Sequence, residues 1–596
     1  TINRKKIHSY TNTHTHFKMA TAVPVVAVRG SSGISINQGP PNYELVTGFK
    51  KDDSKSCKTM LFSPFGEYFA WINGANLTIV STSTWEVLAE LPRPKSCSLK
   101  FSPKGTYLMC WEPYMVTPTN PQGSPNVHIY KSANGDLMTS MVHKKQTGWE
   151  PQWSADESVC VRCYNTEILV YINGDFEKFV QRIVGQKVAN IGLSFGSSPL
   201  YLLCYIPGTS GQPSFAKLFQ YPKFDTPVAS KSFFQADKVD MLWNNKSTGV
   251  LLMTSTEVDK TGSSYYGKQA LHFLSPKGET AMVLLGKEGP IHAVEWSPLG
   301  NEFCVIYGFM PAKASLYNLK CEAVFNFGSG SRNAIYYNPH GNILLLGGFG
   351  NLRGTVELWD AAARKLISKL ESPDTTLLHW SPGGEHFMTA TTAPRLRIGN
   401  GFKIWHYSGA LLYERPWNKQ EELWEVLWQN FPPGVFKTPN ISYKPVEGIQ
   451  PSQPLASKQA YRPPSARGKE YTFKLHDDED VPVDASANPS KAALKLKKKR
   501  EAKKAAKLQQ QQVTGSEEKV TNGSKPAPAT CVGSLNEDIV IEDPEKMKKI
   551  KKLKVKLQEI SRLKEQKASG RVLEINQLDK IKKEDQLLKE LQDLAL

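Results

Sequence analysis

Cysteine is scarce in this sequence and follows no metal-binding pattern. The 596 residues include nine cysteines, and only Cys160 and Cys163 stand in a CxxC spacing, without a second pair or a nearby histidine. A cysteine-rich zinc site needs about four ligands. We therefore expect no metal site, and we expect Cys160 and Cys163 to be buried free thiols in a reduced, intracellular protein.

Long hydrophobic runs are also missing. No apolar stretch approaches the roughly 20 residues that a membrane-spanning helix requires. The first residues lack the charged and then apolar segments of a secretion signal. We expect a cytoplasmic protein with no membrane partner. Residues 1–18 are polar and patternless, and Met19 is a more natural start, so we interpret them as a disordered leader or an upstream extension.

Signatures of catalysis are absent too. There is no G-x-S-x-G elbow and no H-E-x-x-H motif. Gly262–Lys268 imitates a phosphate-binding loop, but Gln269 replaces the hydroxyl residue that would ligate Mg²⁺, and Ala270–Phe273 predicts a strand where that loop needs a helix. We expect a binding protein with no catalytic residue, cofactor or small-molecule substrate. The alternative is a nucleotide hydrolase that uses this segment. Measuring nucleotide binding to the purified propeller would distinguish a hydrolase from a binding protein.

What the sequence does contain is a recurring turn. Each copy joins an aromatic residue, a small residue, proline, a variable residue and glycine. The aromatic ends a buried strand, and the proline and glycine make a tight reversal because they favour the required φ angles. The clear copies are Phe62–Gly66, Phe101–Gly105, Trp296–Gly300, Tyr337–Gly341 and Trp380–Gly384. Weaker copies begin at Trp153, Phe195, Trp243 and Trp428.

The spacing of these nine aromatic anchors is that of a four-stranded propeller blade. Successive anchors lie 39 to 53 residues apart, as in WD repeats. Third strands that end in an aromatic, such as the one ending at Trp359-Asp360, add to the likeness. We predict an all-β, nine-bladed WD40-like propeller over residues 19–444, with every anchor aromatic in the core. The apolar segments 24–28 and 44–46 should complete blade nine and close the ring.

Positive charge is concentrated near the C-terminus. The formal net charge is +18, and residues 491–596 hold 26 Lys/Arg against 16 Asp/Glu. Such a cation attracts polyanions such as RNA. Residues 491–512 predict a basic helix, which would bind RNA or the ribosome, or would be a solvated or nuclear-import-like run. Its candidate RNA-binding residues are Lys495, Lys497, Lys498, Lys499, Arg500, Lys503, Lys504 and Lys507.

Around this helix the chain alternates between linkers and helical patterns. Residues 445–490 predict a disordered Pro/Ser-rich linker. Within it, Tyr461, Arg462, Pro463 and Pro464 form either a polyproline-type docking motif or a stiff spacer. Residues 513–543 predict a disordered spacer. Apolar residues at helical spacing in 544–596, interrupted at Gly570, predict a helical hairpin. It would be a docking device, a self-contained antiparallel coiled coil, or both.

Several longer strings resemble the eukaryotic translation initiation factor 2A family. The resemblance covers nearly everything from Met19 onward and includes the motif Tyr461–Pro464 and the C-terminal hairpin. The strings that carry it are Lys231–Val239, Thr256–Gly262, Tyr307–Ala314, Gly347–Gly354, Ala393–Arg397 and Lys403–Tyr407.

This resemblance implies a translation initiation factor that binds the small (40S) ribosomal subunit. It implies promotion of initiator methionyl-tRNA and mRNA binding without a GTPase site of its own, and contact with other initiation factors through the tail. A propeller scaffold subunit of a larger initiation complex is the alternative. Such a subunit would carry an RNA-recognition fold ahead of its propeller, and the stretch between Met19 and the first anchor is too short for one.

Propeller topology predicts one basic face. In a four-stranded blade, the loop between strands two and three emerges on the same face as the loop to the next blade. In blades five to eight these loops carry few acids and several cations. The arginines would contact RNA or the ribosome, or would bridge neighbouring blades through backbone carbonyls. The candidates are Lys260, Lys268, Lys313, Arg332, Arg353, Arg395 and Arg397.

Overall fold

A computed structural model describes most of the region from residue 22 to residue 452. The residues within this region that it leaves out are 119, 122, 165–166, 184–186, 197, 210–211, 235 and 257–266. Beyond it, residues 557, 560, 561, 564, 584 and 588 are described. The predicted leader at 1–18, the motif Tyr461–Pro464, the basic helix and the 513–543 spacer all lie outside the described residues.

The described strands form nine sheets, eight of four strands and one of three. This confirms the predicted all-β, nine-bladed propeller. The first two strands along the chain are β1 (Val25–Gly30) and β2 (Gly33–Gln38). Blades one to four consist of β3 (Thr59–Phe62), β4 (Tyr68–Ile72), β5 (Asn76–Ser81), β6 (Val87–Pro92), β7 (Ser98–Phe101), β8 (Tyr107–Trp111), β9 (Val127–Lys131), β10 (Leu137–Met141), β11 (Gln152–Trp153), β12 (Val159–Tyr164), β13 (Glu167–Ile172), β14 (Gln181–Ile183), β15 (Asn190–Leu193), β16 (Tyr201–Ile206), β17 (Ser214–Gln220) and β18 (Ala229–Phe233).

The remaining blades follow the same antiparallel order, with four consecutive strands paired side by side. Blades five to eight, and the first strand of blade nine, are β19 (Lys238–Trp243), β20 (Val250–Ser255), β21 (Gln269–Leu274), β22 (Thr280–Met282), β23 (Ile291–Trp296), β24 (Glu302–Tyr307), β25 (Ala312–Asn318), β26 (Ala323–Gly330), β27 (Ala334–Tyr337), β28 (Ile343–Gly347), β29 (Thr355–Asp360), β30 (Lys365–Glu371), β31 (Leu377–Trp380), β32 (His386–Thr391), β33 (Gly401–His406), β34 (Leu411–Pro416) and β35 (Leu423–Trp428).

Blade nine joins the two ends of the propeller. β1 pairs antiparallel with β35 and also with β2, giving the sheet order β2-β1-β35. Across the seam the Arg29 side chain pairs with Glu425 at 3.0 Å. An isolated bridge between Asn37 and Leu45 continues the sheet outward. The N-terminal strands therefore close the ring, as predicted from the apolar segments ahead of the first anchor.

The recurring turns have the predicted conformation. The glycine that ends each of the five clear copies has a φ between +68° and +83°. Eight anchor aromatics end the first strand of their blade. The prediction for the remaining anchor was wrong, because Phe195 lies beyond β15 and is 56% exposed. Buried Leu193 ends that strand instead, and the turn after it is longer, because Leu193 pairs with Leu202 whereas Phe62 pairs with Phe69.

The core of the propeller lies between blades. Buried apolar residues of the described region form nine clusters, and each cluster combines side chains from two adjacent blades. One cluster joins Val28 of blade nine to Ile404 of blade eight, and another joins Ile36 of blade nine to Phe69 of blade one. Each blade thus buries both sheet faces against neighbours, which a single sheet cannot do alone.

After β35 the chain crosses the face that bears the recurring turns. Asn430 donates a hydrogen bond to Ser63 O in blade one, and Asn342 of blade seven donates to Pro439 O. The Tyr443 hydroxyl donates to Asp360 at 2.8 Å. Ile449 N then donates to Leu411 O, so residues 445–452 run along β34 of blade eight. We call residues 431–452 the strap, because they cross blades seven and eight and bind both.

We expect the strap to stabilise the ring. A chain ending at Asn430 loses the hydrogen bonds of Pro439, Tyr443 and Ile449 and the packing of Ile441 against the blade-eight cluster. Compared with a chain ending at Ser452, its free energy of unfolding should fall by about 2–4 kcal/mol. Urea denaturation followed by tryptophan fluorescence measures this difference. Equal unfolding midpoints for the two chains would contradict a stabilising strap.

Candidate nucleic-acid interface

The loops between strands two and three meet the inter-blade loops on one side of blades five to eight. We call this side the loop face, and it comprises the described parts of 256–268, 283–290, 308–311, 331–333, 348–354, 372–376, 392–400 and 417–422. Hydrogen bonds join the two kinds of loop. Phe309 N donates to Glu288 O at 3.0 Å, and the Asn333 side chain both donates to and accepts from the backbone of Phe349 at 2.9 Å.

Most of the predicted cations that the structure describes lie on or beside this face. Lys268, Arg353 and Arg395 are exposed, and Lys313 is half-buried at the start of β25. None of these four makes an ion pair with a described residue. Arg397 is exposed and pairs with Glu422 at 3.3 Å, a surface contact that contributes little stability. Lys260 lies outside the described residues.

Arg332 is placed differently from the other candidates. It is 6% exposed, and its guanidinium pairs with Glu357 at 2.6 Å. Its Nη1 also donates to Phe327 O at 3.2 Å and Gly328 O at 3.3 Å. Arg332 therefore holds strand β29 of blade seven to the end of blade six, as the carbonyl-bridging alternative describes. Its guanidinium is not available to a partner on the surface.

The loop face carries more acidic residues than were expected from the loops between strands two and three alone. The inter-blade loops add Glu288, Asp374, Glu421 and Glu422. The loop face therefore carries both acids and cations, and it is not the evenly basic face that the sequence predicted. Arg353 and Arg395 are its exposed arginines without a described acidic partner, and both belong to the loops of blades seven and eight.

Arg395 reaches across the boundary between these two blades. A Cβ atom added to Gly350, in the loop of blade seven, would lie 2.5 Å from Arg395 Nη2. Gly350 also has a φ of +77°, a conformation that glycine adopts without strain. The loop that carries Arg395 is anchored at its far end, where Asn400 donates to Leu396 O at 2.7 Å and accepts from Leu423 N at 3.0 Å. The guanidinium is thus positioned over blade seven from a well-supported loop.

Beside Arg395 the structure forms a cleft that the sequence analysis did not predict. Its volume is about 190 Å³. The lining comes from four separate loops and two first strands, so no single stretch of sequence indicates it. The lining residues are Asn333, Ala334, Tyr336, Phe349, Gly350, Thr375, Thr376, Leu377, Leu378 and Arg395. In the sequence, the only feature that pointed to this cleft was the presence of glycines close to arginines in the loops of blades seven and eight.

A larger cavity of about 800 Å³ lies among the first strands of blades two to six. Its wall is mostly apolar and includes Met109, Trp153, Met241 and Trp243. Lys100 and Glu150, also in the wall, pair with each other at 2.7 Å. The charge in this wall is therefore compensated within the protein, in contrast to the cations of blades seven and eight.

Gly262–Lys268, the segment whose sequence resembles a phosphate-binding loop, is described only at Gly267 and Lys268, and these two residues lead into a propeller strand. Gly267 has a φ of +65°, and Lys268 N donates to Thr256 Oγ1 at 2.8 Å. Strand β21 (Gln269–Leu274) contains the strand predicted at Ala270–Phe273. Among the described residues, no group of three or more His, Cys, Asp or Glu is placed to hold a metal ion. Cys160 is buried and Cys163 is half-buried, and neither forms a disulfide bond with a described residue.

Comparisons with known proteins agree with this architecture. A profile described as "Eukaryotic translation initiation factor eIF2A" matches residues 231–426. The chain is 41% identical to eukaryotic translation initiation factor 2A of Drosophila melanogaster, over 96% of this chain and 98% of that protein. It is 33% identical to the Caenorhabditis elegans protein of the same name, over 96% and 99%. The chain belongs to the eukaryotic translation initiation factor 2A family.

A solved structure supports the fold of this family member. The "Crystal structure of the eukaryotic initiation factor" matches with a TM-score of 0.64 and 30% sequence identity, and the match covers 69% of this chain and all of that one. Membership confirms the resemblance inferred from the sequence strings. Separately, none of the helical residues described belongs to a helix long and apolar enough to cross a bilayer.

We expect Arg332 to be required for stability. Arg332→Met leaves the buried Glu357 carboxylate paired only with Lys369 at 3.5 Å. The free energy of unfolding should fall by about 3 kcal/mol, because removing one partner leaves the buried charge of Glu357 without its main counter-charge. Arg353→Gln, on the exposed neighbouring loop, is the control and should change it by less than about 0.5 kcal/mol. In the double variant Arg332→Met/Glu357→Met, part of the lost stability should return. Chemical denaturation that finds Arg332→Met as stable as the wild type would contradict this role.

Proposed function

We propose that this family member binds the small ribosomal subunit and promotes the binding of initiator methionyl-tRNA and mRNA there. In this proposal it acts as a binding protein without a GTPase site of its own. Family membership supports a role in translation initiation. The loop face of blades seven and eight is proposed as the RNA-contacting part of the propeller.

The observation that carries the proposed interface is the pair Arg353 and Arg395. Both guanidinium groups are exposed and have no acidic partner among the described residues. Arginine binds phosphate in a bidentate manner and is weakly hydrated, so an unpaired arginine on a supported loop suits an RNA backbone. Arg397 adds a third cation whose pair with Glu422 is solvent-exposed and exchangeable.

The basic tail is proposed as a second contact region. Residues 491–596 carry +10 of the formal charge, and the candidate cations Lys495–Lys507 belong to it. In the C-terminal region, Lys564 and Glu584 are both helical and form an ion pair. One unbroken helix would separate them by about 30 Å, so this contact supports the predicted helical hairpin. We propose the hairpin as a docking element for other initiation factors.

We expect the triple variant Arg353→Gln/Arg395→Gln/Arg397→Gln to bind 40S subunits more weakly than the wild type. Losing up to three phosphate contacts should reduce the slope of log K for binding against log salt concentration by about two. Co-sedimentation with purified 40S subunits at several KCl concentrations measures both quantities. Arg332 is kept, so the fold is preserved.

A matched control has the same charge change on the opposite face. Lys104, Lys246 and Lys277 are exposed on the turn-bearing side of the ring. Their simultaneous replacement by Gln should leave the salt dependence close to that of the wild type. If both triple variants weaken binding equally, net charge alone explains the effect and the proposed face is wrong.

Deleting residues 491–596 should also weaken 40S association and make its salt dependence shallower, because the deletion removes a net charge of +10. The comparison protein carries glutamine at the eight candidate cations of the basic helix and keeps the hairpin. If the deletion weakens binding and the glutamine protein does not, the hairpin makes the contact and the basic helix does not. Unchanged affinity and slope in the deletion would remove the tail from the proposal.

A further inference from the structure

We propose that the cleft between blades seven and eight is a nucleotide subsite for single-stranded RNA, in which one base enters beside Phe349 and Arg395 binds the adjacent phosphate. This inference rests on the proposed RNA-facing role of the loop face and adds a defined pocket to it. The cleft is the place on that face where a cavity, an aromatic wall and an unpaired cation coincide.

The size of the cleft selects the class of ligand. About 190 Å³ is less than the roughly 300–1,000 Å³ of pockets that enclose small-molecule ligands. A cleft of this size suits one nucleobase whose sugar-phosphate backbone stays outside. Sequence-tolerant proteins that bind single strands combine aromatic side chains, which stack on bases, with cations that follow the phosphates.

The aromatic wall is held in place by hydrogen bonds. Phe349 N donates to Asn333 Oδ1, and Asn333 Nδ2 donates to Phe349 O, both at 2.9 Å. These two bonds connect the loop of blade seven to the inter-blade loop before β27. The backbone that carries the Phe349 ring is therefore positioned before any ligand arrives, which lowers the entropy cost of binding. Phe349 itself is half-buried, so it is partly accessible.

The floor of the cleft is polar but internally satisfied. Thr375 Oγ1 donates to Ser372 O at 2.8 Å. Thr376 Oγ1 donates to Ala390 O at 3.1 Å and accepts from Thr392 N at 2.9 Å. Thr376 Oγ1 also lies 2.7 Å from Thr392 Oγ1, and Thr375 Oγ1 lies 2.9 Å from Ser372 Oγ. The threonine hydroxyl groups are thus engaged within the protein, so the floor is a fixed polar surface that a ligand can cover without leaving these groups unpaired.

Tyr336 contributes a further polar group without adding charge. Burial, followed by the nearby Glu295 carboxylate, raises the pKa of Tyr336 above its ordinary value. It therefore remains a neutral phenol at physiological pH. Its hydroxyl makes no hydrogen bond with a described residue, so it can pair with a base.

Arg395 supplies the charge at the rim. Its guanidinium rests on Gly350, the one residue type that leaves room for it, because a Cβ there would lie 2.5 Å from Nη2. Two exposed acids stand near the lining, Asp374 beside Thr375 and Glu295 near Tyr336, and neither forms an ion pair with Arg395. The arginine is consequently available to a phosphate, and Gly350 sets its position relative to the aromatic wall.

The test uses the full chain and two probes of ten units, a fluorescein-labelled oligo(U) and a labelled abasic ribose-phosphate chain. Phe349→Leu keeps an apolar side chain but removes the aromatic ring, so it should weaken oligo(U) binding about tenfold and leave abasic binding unchanged. Arg395→Gln should weaken both probes. Oligo(U) bearing one 4-thiouridine should cross-link to peptides containing Tyr336 or Phe349 in the wild type, independently of contacts made by the tail.

A glycine pair controls for backbone strain. Gly350→Ala displaces the Arg395 guanidinium, and Gly399→Ala introduces the same change at a φ of +69° where nothing lies within 4 Å. The first should weaken oligo(U) binding and the second should not, with equal thermal unfolding temperatures confirming that both fold. If the first binds oligo(U) as well as the second, the positioning of Arg395 on Gly350 has no part in binding and the subsite is wrong.

These experiments distinguish failure of the nucleotide subsite from failure of the proposed RNA-binding loop face. The subsite is wrong if either Phe349→Leu or Gly350→Ala binds oligo(U) normally, or if no cross-link forms in the cleft. The loop face survives that result if the triple arginine variant still loses 40S affinity. If that variant binds 40S subunits and both probes normally, the loop face itself is wrong, and the subsite is wrong with it.

Discussion

The pairing of β1 with β35 is the interaction on which the rest of the structure depends. Every other described blade is built from four consecutive strands, whereas blade nine takes its strands from both ends of the propeller. Because each hydrophobic cluster lies between two blades, an unclosed ring would expose one face of blade eight and one face of blade one. Closure therefore completes the core as well as the sheet, and the strap reinforces blades next to the seam.

Packing between blades also arranges the loop face. The inter-blade packing brings loops of adjacent blades together, so Arg395 of blade eight lies on Gly350 of blade seven. The same packing assigns opposite roles to two arginines that look alike in sequence. Arg332 is enclosed with Glu357 and supports the ring, while Arg395 stays exposed and positions its charge beside a cleft.

The fold was predictable because it is a repeat. An aromatic residue, a proline and a glycine at fixed offsets specify a strand end and a tight reversal, and these signals recur often enough to count blades. The prediction failed locally at Phe195, where the turn is longer and Leu193 ends the strand. The cleft was not predictable, because Asn333, Phe349 and Thr376 come from three loops whose contact depends on how two blades pack.

By itself, the sequence determined the nine-bladed architecture, the use of N-terminal strands to close it and the family to which the chain belongs. These follow from local turn chemistry, strand periodicity and specific strings, which need no knowledge of distant contacts. Only the tertiary structure decided which cations face solvent, because burial and ion pairing depend on neighbours far apart in the chain. Arg332 and Arg353 have similar glycine-rich surroundings in sequence, yet Glu357 is within reach of one and no described acid is within reach of the other.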